Sequence, residues 1–268
     1  MVAAVAFVHK AHNLFSPSEE PGFQPILKGI KRRLFKRPKR ANPLTPDIVR
    51  RAFSVLGDDL ECDSYYDVSL RTWRTVAHIV LSFSALLRYD DMSKLSINNV
   101  TFVNGRAQIF IPTSKTDQFG EGQLVSIGST SSQHCPVNFL RCYIRRLFWE
   151  AAVEGKTYEG PLFPGLSRRT VSGPLGTGTS ALPASPTPFS YTGALGDFRA
   201  LLKAIGITNP SSFSLHSGRR GGATEAARRG CDFMTLKRQG RWRSYSCPQL
   251  YEDDVINNSN KFVSYLGL

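Results

Sequence analysis

Apolar positions recur along this chain with two periods, and the switch between them marks its elements. Spacings of three and four through VAAVAFVHKAHNLF and QPILKGIKRRLFK predict helices over 2–15 and 24–36, the second with a strongly basic face. A turn-rich break over 13–21 separates them. Pro38 and Pro43, in a charged stretch, mark a linker at 37–45. Two short helices bury too little apolar surface to make a core. Residues 1–40 therefore read as the tail of a domain that begins upstream.

Thr45, Pro46 and Asp47 form a helix start ahead of IVRRAFSVL. The nearly continuous apolar run VSLRTWRTVAHIVLSFSALL over 68–87 predicts a long helix at the centre of the core. The period then falls to two. NVTFV and RAQIFIP flank Asn104-Gly105, a two-residue hairpin turn. QLVSI at 123–127 adds a third strand after a polar turn that holds Lys115. PVNFLRCYIRRLFWEAAVEG returns to the helical period. Residues 163–190, rich in Gly, Ser, Thr and Pro, read as an exposed loop. Helices resume in GALGDFRALLKAIG and SLHSGRRGGATEAARRG. Within the latter, Gly221 and Gly222 each cost about 1 kcal/mol relative to Ala, which implies a close approach to a helix or to DNA. The fold class is α+β, mainly α, with a small three-stranded antiparallel sheet.

Charge narrows the partner. The chain has 268 residues with 34 Lys+Arg against 21 Asp+Glu, a net +13. Such an excess favours a polyanion, above all nucleic acid. Lys31, Arg32, Arg33, Lys36, Arg37, Lys39 and Arg40 make a strap for tracking phosphates, with Arg220 and Arg243 as further contacts. The strap also resembles a nuclear-localisation tract. Cys62, Cys135, Cys142, Cys231 and Cys247 are odd in number and form no CxxC pair, so neither a zinc site nor a disulfide framework is indicated and a reducing compartment follows. The opening residues read as an amphipathic helix, not as a secretion signal or membrane span.

The last fifth of the chain carries the chemistry. His216 and Arg219 are three residues apart and share a helix face. Trp242 and Tyr251 follow in GRWRSYSCPQLYEDD. A guanidinium fork, an imidazole, an indole N–H and a phenol together can hold and attack a phosphodiester. The phenol, with a reference pKa of about 10, is only about a thousandth ionised at pH 7, an obstacle of about 4 kcal/mol. His216 is the general base that lowers it. Tyr245 is the rival nucleophile, and Tyr251 is preferred because it falls inside the final predicted helix.

These residues, with Arg88 after the long apolar helix and Lys115 between the second and third strands, resemble the catalytic domain of the tyrosine recombinases, the phage-integrase family. The matching positions run from about 44 to 260: Arg88, Lys115, His216, Arg219, Trp242 where many members have His, and Tyr251. Asp91, three after the first arginine, also matches. The resemblance implies that residues 41–268 are the catalytic domain and that 1–40 are the C-terminal remnant of a helical core-binding domain plus a basic linker. It implies a site-specific DNA recombinase or integrase acting through a 3′-phosphotyrosine, without metal, ATP or other cofactor, as a homotetramer on two sites in double-stranded DNA. Arg88 and Arg219 would hold the non-bridging oxygens, Lys115 would protonate the leaving 5′-oxygen, and Asp91 would orient or buffer His216. The location would be DNA-associated, nuclear in a eukaryote and otherwise cytoplasmic, with no membrane partner. The alternatives are a truncated or inactive DNA-binding protein derived from a mobile element and a metal nuclease using Asp90, Asp91, Glu252, Asp253 or Asp254. The incomplete N-terminal region favours the first. Arginines around the acidic pairs oppose the second.

Overall fold

Thr45 begins a helix as its sequence predicts: its Oγ1 accepts from the Ile48 N–H at 3.3 Å, and Pro46 occupies the first turn. The computed structural model describes residues 2–34, 40–57, 68–114, 117, 120–153, 155–169, 179–183 and 185–244, with Lys31, Arg168, Arg169 and 179–181 described in backbone only. The chain divides into two units, Met1–Arg40 and Ala41–Leu268.

In the first unit, α1 (Val2–Ala11) and α2 (Phe23–Leu34) flank a 3₁₀ turn at Pro17–Glu19. The first helix stops short of the predicted residue 15 because Asn13 takes a positive φ of 54°, a conformation Asn tolerates. Among its described residues no apolar side chain is buried. Arg32, Arg33 and Arg40 are exposed, while Lys36, Arg37 and Lys39 lie outside the described residues.

The second unit is built around α4 (Leu70–Ser84), which follows α3 (Pro46–Ser54). Ser69 caps it by accepting from the Thr72 N–H at 3.3 Å. Eleven of its 15 residues are buried, which matches the apolar run. The indole of Trp73 stacks on Phe139 with centroids 5.6 Å apart. Next come α5 (Tyr89–Ser93), then β1 (Val100–Val103), β2 (Arg106–Ile111) and β3 (Gln123–Gly128), an antiparallel sheet in that order. Val103 pairs with Arg106, so Asn104 and Gly105 form the two-residue turn, both at positive φ. Ala107, Ile109 and Ile111 of β2 and Val125 and Ile127 of β3 face the core.

Beyond α6 (Pro136–Ala152), the structure corrects the expectation of an exposed loop over 163–190. β4 (Ser167–Arg169) and β5 (Thr179–Ala181) pair antiparallel, and Phe163, Leu182 and Phe189 are buried. Composition concealed these anchors. Two phenylalanines and a leucine, spaced far apart among small polar residues, bury enough surface to fasten the segment's ends. The amide of Phe189 donates to the Phe163 carbonyl at 3.0 Å, tying the two ends together.

Helices α7 (Tyr191–Ala204), α8 (Ser217–Arg228) and α9 (Phe233–Gly240) follow among the described residues. Asp197 on α7 pairs with Arg74 of α4, whose guanidinium also donates to the Pro164 carbonyl. The glycine pair of α8 is explained by helix packing. A Cβ at Gly222 would lie 2.0 Å from the Phe83 carbonyl oxygen, and one at Gly221 equally close to that of Leu44. Of the two approaches the sequence left open, helix and chain occupy this face.

Candidate active site

The C-terminal end of α4, the start of α5 and the N-terminal turn of α8 bring distant segments together. Helix α4 ends where Leu86 adopts φ 51°, unusual for a residue with a Cβ. That conformation offers the Leu86 carbonyl to two arginines. Arg219 Nη1 donates to it, Arg219 Nη2 donates to the Gly240 carbonyl, and Arg241 Nη2 approaches Leu86 O at 3.3 Å. Arg219 is thereby buried and fixed on the face that α8 turns to α4.

Trp242 lies beneath this guanidinium, its ring centroid 4.5 Å from the Arg219 Cζ. It packs with Leu86, Ala223 and Leu236 in a small apolar cluster apart from the main core. The indole therefore fills this cluster and supports the arginine at the same time. Gly240 makes room for it, since a Cβ there would meet the ring at 1.9 Å.

Arg88 occupies the N-cap of α5. Its backbone N–H donates to Asp91 Oδ2 at 2.9 Å, a reach-back that pins the start of the short helix. Its Nη1 is buried without a hydrogen-bond partner among the described residues. Asp91 is 1% exposed, and the same oxygen accepts from Arg241 Nη2 at 2.7 Å. The carboxylate expected to orient or buffer His216 accepts hydrogen bonds from Arg88 and Arg241 and acts on the imidazole through its charge.

His216 caps α8 at the rim of this cluster, with its side chain partly open to solvent. Partial desolvation lowers its pKa below 6.5, the guanidinium groups of Arg219 and Arg88 lower it further, and Asp91 opposes them. A neutral imidazole at pH 7 can accept a proton. The structure thus gathers Arg88, Asp91, His216, Arg219 and Trp242. Lys115 and Tyr251, like the rival Tyr245, lie outside the described residues. Next to Lys115, the Asp117 carboxylate accepts from the amides of Gly120, Glu121 and Gly122 at 2.9 to 3.2 Å and fastens the base of the β2–β3 turn.

Of the basic residues expected on nucleic acid, Arg243 is exposed and lines a shallow concavity with Lys237, Arg238 and Arg241. Arg220 donates to the Ala41 carbonyl at 2.7 Å and so ties α8 to the start of its unit. Arg241 was missed by the sequence reading. Its signal was present in GRWR, where a third arginine stands beside the indole, but only its positive φ and inward side chain distinguish it from its neighbours.

No protein-family model matches the chain. Among curated proteins it is similar to an integrase/recombinase described as a xerD homolog of Selenomonas ruminantium, with 25% identity over 223 residues. That match covers 76% of this chain but only 59% of the relative, so the chain spans about three fifths of its length. Among solved structures it is similar to XerA recombinase (TM-score 0.53, 18% identity, 96% of this chain and 72% of the other). It is also similar to the Tn1549 transposon integrase in complex with transposon right end DNA (TM-score 0.54, 13% identity, 97% and 76%). A third is XerH recombinase bound to its difH substrate (TM-score 0.55, 13% identity, 85% and 54%). At such identities these three speak for the fold alone, a mainly helical body with a small antiparallel sheet.

Proposed function

We propose that this chain, a tyrosine recombinase catalytic domain by its fold and by its resemblance to the xerD homolog, cuts and rejoins double-stranded DNA through a covalent tyrosine. One observation carries the reading: Arg88 and Arg219, 131 residues apart in sequence, both bring their charge to bear on His216 and help keep it neutral, with Arg219 fixed on the Leu86 carbonyl two residues before Arg88. A phosphodiester is the charge such a cradle lacks, and Arg88 still has an unmatched buried donor.

The Tyr251 phenol gives its proton to His216 as its oxygen bonds to phosphorus, and the bond from phosphorus to the 5′-oxygen breaks. Lys115 protonates that leaving oxygen. Arg88 presents its fork to the non-bridging oxygens, where charge gathers, and loss of such a donor costs about 10²–10³ in rate. Arg219, whose Nη1 and Nη2 also hold the Leu86 and Gly240 carbonyls, adds its positive charge and its remaining N–H groups. Reversal with a second 5′-hydroxyl rejoins the strand, with the bond energy held in the phosphotyrosine. The active assembly is a tetramer on two DNA sites. Lys31, Arg32, Arg33, Lys36, Arg37, Lys39 and Arg40 track phosphates from the N-terminal unit, with Arg220 and Arg243 on the catalytic side. The working location is on DNA, in the nucleus of a eukaryote or the cytoplasm of a prokaryote. Among the described residues no helix is long and apolar enough to cross a membrane.

The test uses a pool of nicked duplexes of randomised sequence, whose cleavage releases a short strand and traps the intermediate. An SDS-resistant protein–DNA adduct that forms in EDTA and is lost in Tyr251→Phe is expected. Duplex binding without any adduct would replace this reading with that of a DNA-binding protein derived from a mobile element. An adduct that persists in Tyr251→Phe would move the nucleophile elsewhere, with Tyr245 next to be replaced.

A further inference from the structure

Arg241 stands in a conformation that an arginine does not favour. Its φ of 54° and ψ of 41° place it in the left-handed region at the end of α9, a cost of about 1–2 kcal/mol for a residue with a Cβ. Its side chain is only 5% exposed. Desolvation lowers its pKa, and the charge of Arg88 adds to that while Asp91 opposes it. Two of its donors, Nε and Nη1, are buried without a partner among the described residues. A glycine would avoid the backbone strain, and a shorter side chain would avoid the burial. What offsets these costs is Nη2, which holds Asp91 Oδ2 at 2.7 Å and also approaches the Leu86 carbonyl at 3.3 Å.

Asp91 sits three residues after Arg88, already bonded to its backbone amide and almost wholly buried. A buried carboxylate seeks a cation. Without Arg241, Asp91 would draw on the guanidinium of Arg88, whose backbone it already holds and whose Nη1 is buried with no partner among the described residues, and a fork paired with Asp91 is withdrawn from any phosphate. We propose that Arg241 is a positioning residue that occupies Asp91 and so keeps the Arg88 guanidinium free for an incoming phosphate. The inference rests on the cleavage chemistry proposed above for the meaning of that phosphate, but its test does not require cleavage.

The test compares the wild-type chain with Arg241→Gly, which suits the left-handed backbone, and with Arg241→Gly combined with Asp91→Asn. Orthovanadate serves as the phosphate mimic, its affinity read from the His216 imidazole resonances. The Arg88 Nε–H resonance reports whether that side chain meets a carboxylate. Expected are a vanadate affinity about tenfold weaker in the single variant, since a charge-assisted pair competes with the anion, and an Arg88 resonance shifted as for a bound carboxylate. Both should return toward wild type in the double variant. Unchanged affinity overturns the proposal. Weakened affinity with an unmoved Arg88 resonance overturns it as well, because the loss is then one of net charge. Failure of the wild-type chain to form a DNA adduct, with these anion results as expected, would remove the cleavage reading and leave the role of Arg241 standing.

Discussion

The guanidinium of Arg219 rests 4.5 Å above the ring centre of Trp242, and its two terminal nitrogens donate to the Leu86 and Gly240 carbonyls. The stack and the two carbonyls leave the arginine one orientation. Trp242→Phe keeps an aromatic face and should lose about 1 kcal/mol of unfolding free energy. Trp242→Ala also empties the cluster of Leu86, Ala223 and Leu236 and should lose about 3 kcal/mol. Urea titrations of the two variants check the order. Equal losses would show that a phenyl ring restores nothing and that only the indole serves there.

Helix α8 meets α4 through a glycine that has no room for a methyl group. Gly222→Ala would put a Cβ 2.0 Å from the Phe83 carbonyl oxygen, so the gain of about 1 kcal/mol in helix propensity is overtaken by about 1–3 kcal/mol of overpacking. Gly196 in α7 has open space around its Cα, and Gly196→Ala should stabilise the chain by about 0.5–1 kcal/mol. Thermal melts of the pair, opposite in sign, are the measurement.

His78 lies on α4 against Phe163, Phe189 and Phe198, with both ring nitrogens buried and without hydrogen-bond partners among the described residues. Desolvation, with the charge of Arg74 adding to it, pushes its pKa down to about 3. Below pH 6.5 the unfolded imidazole takes up a proton that the folded one refuses, so folding stability falls as pH drops toward 3. Between pH 6.5 and 4.5 the loss from this residue is about 2–3 kcal/mol. His78→Leu should flatten that slope and raise stability at pH 7, read from urea midpoints across the range. A slope unchanged in the variant would clear His78 of the effect.

His216 should titrate below 6.5, because desolvation and the charges of Arg219 and Arg88 outweigh Asp91. Arg88→Met removes a cation and should raise that pKa. Asp91→Asn removes an anion and should lower it. The imidazole proton resonances followed from pH 4 to 8 give the three values. A shift in the same direction in both variants would mean that rearrangement, not charge, sets it.

Local chemistry wrote much of the fold into the chain. Thr45 and Pro46 start α3, Asn104-Gly105 turns β1 into β2, and the alternation of Ala107, Ile109 and Ile111 faces one side of the sheet to the core. Each of these depends on neighbours a few residues away, so spacing alone reveals it. The segment over 163–190 was opaque for the opposite reason. Phe163, Leu182 and Phe189 are buried by partners far away in sequence, and no short window among small polar residues records such partners.

At the site, residue types and order were legible, whereas the helix starts only at Ser217, leaving His216 exposed at its N-cap and Arg219 buried within it. Tertiary structure alone decided whom Asp91 serves, why Leu86 turns its carbonyl inward, and that Arg241 joins the cluster. A periodic pattern encodes which face of an element is apolar. It does not encode which of several arginines reaches a given carboxylate, because that choice is made by the packing of α4, α5, α8 and α9 and by the desolvation this packing imposes.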